Sequence, residues 1–181
     1  VHSEMPEQEQ GLLEGFQLWV NLPAEHKMDA PSYQEHAANR IPEEQRRDGA
    51  RVRVIAGRSS EGTRGPVVQP LTEPLYLDVD LPAGAAFSEA LPARHNGFLY
   101  VVSGNVLAED VEGRAIRLAR DDLAELSHGE QVSVHAGDSN ARFLLVAGRP
   151  LNEPVARGGP FVMNKQAEIR QAFADFEAGR F

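Results

Sequence analysis

Phe98-Leu99-Tyr100-Val101-Val102-Ser103-Gly104-Asn105-Val106-Leu107 decides the fold class. A run of aromatic and β-branched side chains stops at Ser-Gly-Asn, and a second short apolar run begins at once, the pattern of strand, tight turn and strand. Outward from it the same unit recurs. Arg51–Ala56 alternates with period two and stops at Gly57; Leu75–Asp80, Ala115–Leu118, Gln131–Val134 and Arg142–Val146 are further short runs. Gln17–Asn21, ending before Pro23, also reads as a strand. Glu112-Gly113, His128-Gly129, Gly137-Asp138 and Gly148-Arg149-Pro150 supply turns between them. Short strands at intervals of roughly 8–15 residues predict an all-β sandwich or barrel.

Two regions depart from that pattern. Residues 22–50 carry Pro23, Pro31 and Pro42 with mixed charges and read as a linker, with one short helix starting at Pro42. Near the end, Ile169, Ala172, Phe173 and Phe176 recur at helical spacing, Asn164 is placed to cap the helix and Gly179 to end it. An amphipathic helix is predicted there, docking its Phe face.

Composition narrows the function classes. The chain has 181 residues, 18 Lys+Arg against 27 Asp+Glu and a formal charge of −9. Without a basic cluster, direct nucleic-acid binding is not expected, since phosphate contacts need grouped Lys and Arg. No apolar run approaches the ~20 residues of a membrane span, so no membrane partner is expected. There is no cysteine, which removes disulfides, thiolate nucleophiles and Cys metal sites and is compatible with a cytoplasmic home. The chain starts Val1-His2-Ser3-Glu4-Met5, without an initiator Met or a signal-peptide pattern, and reads as a fragment of a longer protein.

The candidate chemistry begins with His2 and Glu4. On a strand, residues two apart face the same side, so an imidazole and a carboxylate would converge, a pair suited to iron, manganese, nickel or zinc. Six histidines and 27 acidic residues in 181 predict about one His-x-acid pattern by chance, and the chain has two, the other being His128-Gly129-Glu130. His95, His128 and His135 read as solvated or hydrogen-bonded loop histidines. No G-x-S-x-G elbow is present. The stretch Gly57–Gly65 lacks the G-K-[ST] ending of a P-loop and reads as a flexible connection between strands.

Three longer blocks carry a resemblance. His2-Ser3-Glu4-Met5-Pro6-Glu7, Gly15-Phe16-Gln17-Leu18-Trp19-Val20-Asn21-Leu22-Pro23 and Gly159-Pro160-Phe161-Val162-Met163-Asn164, the last followed by Glu168-Ile169 and Gln171-Ala172, resemble the pirin family over essentially the whole chain. The resemblance implies a bicupin, two jelly-roll (double-stranded β-helix) barrels with an iron-type metal in the N-terminal one. Of the family's ligand set of three His and one Glu, the last two members match His2 and Glu4, while the upstream H-x-H segment has no match here. The expected division is residues 1–21 as a remnant of the N-terminal metal-binding cupin, 22–50 as linker and 51–181 as the C-terminal cupin with its closing helix. Anchoring the metal-cupin pattern on Tyr100–Gly104 puts Leu91, Ala93 and Gly97 at the ligand slots of the second barrel, so that barrel is expected to be metal-free.

The resemblance further implies a quercetin 2,3-dioxygenase-type enzyme in the full-length protein, acting on a flavonol with Fe(2+) or another divalent transition metal, with Glu4 as the catalytic carboxylate. The fragment alone is expected to be inactive. The alternative is a non-enzymatic, metal- or redox-responsive co-regulator whose partner is a protein. The missing N-terminal piece is expected either to stay associated non-covalently or to leave its place to another chain.

Overall fold

The computed structural model describes residues 10, 11 and 14–180. They divide into two compact units, one formed by residues 34–150 and the other by the residues before 34 together with those from 151 onward.

In the first unit the period-two runs are strands, and their alternation is the alternation of burial. Strand β2 (Arg51–Ala56) buries Val52, Val54 and Ala56 and turns Arg51 and Arg53 outward. It follows β1 (Glu43–Gln45) and precedes β3 (Leu75–Leu81), β4 (Ala86–Ala90), β5 (Asn96–Ser103), β6 (Asn105–Glu109), β7 (Ala115–Ala119), β8 (Leu123–Glu125), β9 (Gln131–Ala136) and β10 (Ala141–Gly148). Six strands form one sheet in the order β1-β2-β3-β10-β5-β8, and four form the other in the order β4-β9-β6-β7. Every pairing is antiparallel. Sheets of this kind bury one face and wet the other. Leu77, Val79, Leu99, Val101, Phe143 and Leu145 of the larger sheet meet Phe87, Val106, Val132 and Val134 of the smaller. Phe87 and Phe143 join the sheets edge to face, with centroids 5.4 Å apart.

A buried ionic cluster closes one region of this sandwich. Glu89 alternates inward beside Phe87 on β4 and is wholly buried. Its carboxylate accepts from Arg46 Nη2 at 2.6 Å and from the backbone N–H of Ser60 at 2.6 Å. The same guanidinium donates to Glu44 at 3.0 Å and to the Ser88 carbonyl at 2.9 Å, and lies 4.9 Å above the Phe87 ring. Ser59 Oγ donates to the second oxygen of Glu44. A solvent-side ladder runs parallel to the core: Arg142 grips Asp78 with two hydrogen bonds of 2.9 Å, and Arg53 and Arg51 extend it through Asp78 and Asp80.

The second unit contains a hairpin of β11 (Ala156–Gly158) and β12 (Phe161–Met163), followed by helix α1 (Gln166–Glu177). Ile169 and Ala172 are its buried residues, and Phe173 and Phe176 set their ring edges on Phe161. Of the helix face expected from spacing, Ile169 and Ala172 are buried, whereas Phe173 and Phe176 stay exposed beside Phe161. The cap differs. Lys165 stands at the N-cap position, and the end is tied by Glu168, whose carboxylate accepts from the N–H groups of Asn164 (3.0 Å) and Lys165 (2.9 Å). Asn164 instead donates its side-chain amide to Glu153 and to the Pro154 carbonyl. Gly179, at φ 66, ends the helix.

Two local expectations change, and a strand is added that the sequence did not suggest. Gln17–Asn21 takes no regular secondary structure, because a strand forms only where a neighbour takes its N–H and C=O groups, and no described segment pairs with it. After Pro42 the chain enters β1 rather than a helix, drawn into the sheet by pairing with β2. Strand β4 carries Ala, Ser and Glu, weak strand formers, and exists through its five-residue pairing with β9.

The cluster predicts two stability effects. Glu89→Ala strands the Arg46 charge inside the sandwich and is expected to cost ~3–5 kcal/mol, measured as a lower urea midpoint with an unchanged slope. Burial works to raise the Glu44 pKa, but hydrogen bonds from Ser59, Thr63 and Arg46 outweigh it and hold the carboxyl below its ordinary value. A carboxyl lowered in the folded state adds stability above its unfolded pKa and loses it as pH falls through the folded value. Urea midpoints at about pH 6 and about pH 3 should therefore differ less in Glu44→Gln than in the parent chain.

Candidate functional site in the barrel and its flank

Strand β5 and the turn before it hold the positions where a cupin would carry its ligands. Leu91 and Gly97 line a cavity of about 320 Å³ inside the barrel, whose walls include Leu99, Leu118 and Val132. Ala93 lies exposed on the turn. At Gly97 a side chain has no room: a Cβ would stand 2.9 Å from the Val146 carbonyl oxygen and 3.1 Å from Leu126 Cδ1. Leucine, alanine and glycine offer no donor. Among the described residues no three His, Asp or Glu are grouped closely enough to hold a metal ion. The donor set of this barrel does not fit one. Ser133, also on the cavity wall, accepts from Gln131 at 3.3 Å. The lining mixes the apolar Leu99, Leu118 and Val132 with the acidic Glu109, Asp110 and Glu125.

His2 and Glu4, the ligands expected from sequence, lie outside the described residues. The remaining histidines separate. His128 at the cavity mouth and His135 on β9 are exposed. His95 corrects the solvated reading. Its side chain is only 4% exposed, and among the described residues neither ring nitrogen has a hydrogen-bond partner. The turn closed by His95 N–H on the Pro92 carbonyl (2.8 Å) tucks the ring in. Glu73 Oε2 stands 3.6 Å from Nε2, too far for a hydrogen bond but close enough for an ion pair when the ring is protonated.

The stretch Gly57–Gly65 is likewise not a loose connection. Gly65 N–H donates to Gly57 at 2.9 Å, Ser59 N–H to Thr63 at 2.9 Å and Gly62 N–H to Ser59 at 3.0 Å, with Arg58 and Arg64 bridged as an antiparallel pair. The mirrored order Gly57-Arg58 and Arg64-Gly65 was a visible sign of a hairpin. The Arg46–Glu89 pair had a fainter one: Glu89 falls two residues after Phe87, on the same side of a strand.

Known proteins agree with this architecture. The sequence pattern described as the Pirin C-terminal cupin domain matches residues 76–181. A pirin-like protein of Caulobacter vibrioides is 47% identical over the whole chain, which covers 63% of that protein. Human pirin is 40% identical over 97% of the chain, covering 59% of its own length. The chain thus spans about 60% of the length of these relatives. A crystal structure titled quercetin 2,3-dioxygenase from Acinetobacter baumannii superposes with a TM-score of 0.80 at 35% identity, over 90% of this chain and 55% of that one. Blocks at both ends of the sequence, a two-sheet barrel with a C-terminal helix and the matched domain pattern converge: the chain belongs to the pirin family, and residues 76–181 are its C-terminal cupin domain.

Proposed function

We propose that this chain is part of a metal-binding pirin with quercetin 2,3-dioxygenase-type activity, in which His2 and Glu4 contribute to the metal site and the C-terminal cupin domain supports it. The likeness to the Acinetobacter baumannii structure, 35% identical over 90% of the chain, carries this reading. Imidazole and carboxylate together suit iron or a neighbouring divalent transition metal. Such a metal, when bound, acts as a Lewis acid toward the oxygens of a flavonol and lowers the pKa of its hydroxyl. Glu4 is the base in this reading: its carboxylate takes the proton of the flavonol 3-hydroxyl. No helix among the described residues is long and apolar enough to cross a membrane.

The test uses the full-length protein loaded with iron and supplied with quercetin under oxygen. Turnover is expected, falling by about a hundredfold or more in Glu4→Gln at equal iron content. A fully loaded protein that consumes no quercetin would overturn the enzyme reading in favour of a protein-binding co-regulator. The 181-residue chain by itself offers two donors of a set that needs at least three. It is expected to hold iron well below one equivalent after desalting, and tightly bound stoichiometric iron would refute that assignment of ligands.

A further inference from the structure

The hairpin between β2 and β3 brings two positive charges together without an opposing partner. A side chain at Gly57 would run into the Pro74 carbonyl oxygen and one at Gly65 into the backbone of Ile55, so glycine at both ends lets the hairpin lie against its neighbours. Gly57, at φ 80, also needs the conformational freedom. The bridge then sets Arg58 directly across from Arg64. Like charges in opposed positions destabilise a strand pair. Among the described residues neither guanidinium has a carboxylate within ion-pair range or a hydrogen-bond partner.

Both arginines border a second cavity, of about 360 Å³, on whose wall His95 and Glu73 also stand. Glu73 is held at φ 47, a strained conformation for a residue other than glycine. Two guanidinium groups against one carboxylate make this cavity net positive in a chain of net charge −9. The buried His95 ring, unpartnered at both nitrogens among the described residues, adds an N–H donor whose desolvation they leave uncompensated. The remaining walls include the apolar side chains Val68, Pro70 and Pro92, with Gln69 among them. A cavity of ~150 Å³ holds a benzene molecule, so this one has room for a single ring with its acidic group.

We propose that this cavity binds a small aromatic carboxylic acid. Its carboxylate accepts hydrogen bonds from Arg58, Arg64 and the His95 ring, and its ring lies against Val68, Pro70 and Pro92. Bidentate guanidinium–carboxylate pairing relieves the repulsion between the arginines, and the apolar walls supply the remaining affinity. The site is independent of any metal and of His2 and Glu4.

Titration of the 181-residue chain with benzoate, followed by amide NMR shifts and calorimetry, tests it. Saturable binding with Kd of about 1 mM or tighter is expected, with shifts centred on residues 57–65 and His95. Benzyl alcohol and inorganic phosphate, which lack the charge and the ring respectively, should bind at least about tenfold more weakly. Arg58→Gln/Arg64→Gln should weaken benzoate by about tenfold or more while leaving the thermal midpoint of the free protein no lower, because the opposed charges are gone. Arg64→Gln alone, expected to weaken benzoate in the same direction, serves if the double variant does not fold. No saturable binding, equal binding of benzyl alcohol or phosphate, or an unchanged affinity in the arginine variants would each overturn the proposal.

Discussion

The buried carboxylate of Glu89 is the constraint around which the barrel unit is arranged. An ionised carboxylate inside an apolar sandwich is costly unless its charge and lone pairs are met. Here a guanidinium from the segment before β2, a backbone N–H from the Gly57–Gly65 hairpin and the hydroxyl of Ser60 meet them. Satisfying one side chain therefore fixes three pieces of chain: the entry segment with β1, the hairpin after β2, and β4 itself. Arg46 repeats the logic from the cationic side, with two carboxylates, a carbonyl and the face of Phe87 around it. Phe87 in turn carries the contact with Phe143 that joins the sheets. Electrostatic satisfaction and hydrophobic packing are one device at this point.

That device also shapes the flank of the barrel. Ser59 and Ser60 are held by Glu44 and Glu89, so the hairpin they belong to is ordered, and its outer residues, Arg58 and Arg64, are presented in fixed positions. His95 lies on the wall of both the internal cavity and the flanking one. The two cavities differ in charge: acidic Glu109, Asp110 and Glu125 line the one, and Arg58 and Arg64 border the other.

Much of the architecture was legible from local pattern. Alternation identified β2 and β9, whose buried face records period two directly, while β3, β5 and β10 showed as short apolar runs, β10 being buried on both faces. The glycine and asparagine turns placed the breaks between them, and the Ile169, Ala172, Phe173, Phe176 spacing located α1. The weak points were segments whose structure is lent by a partner. β4 and β8 have too little apolar content to announce themselves, and Gln17–Asn21 has the composition of a strand but no described neighbour to pair with.

By itself the sequence determined the family, the mostly β class and the helix near the end, all of which depend on order and short-range periodicity. Only the tertiary structure decided that Arg46 meets Glu89, 43 residues away, that Arg58 opposes Arg64, and that His95 is enclosed without a partner among the described residues rather than solvated. Burial and pairing of polar groups arise where distant strands and turns converge. The free energy of a charge depends on what surrounds it in space, which neighbours along the chain do not record.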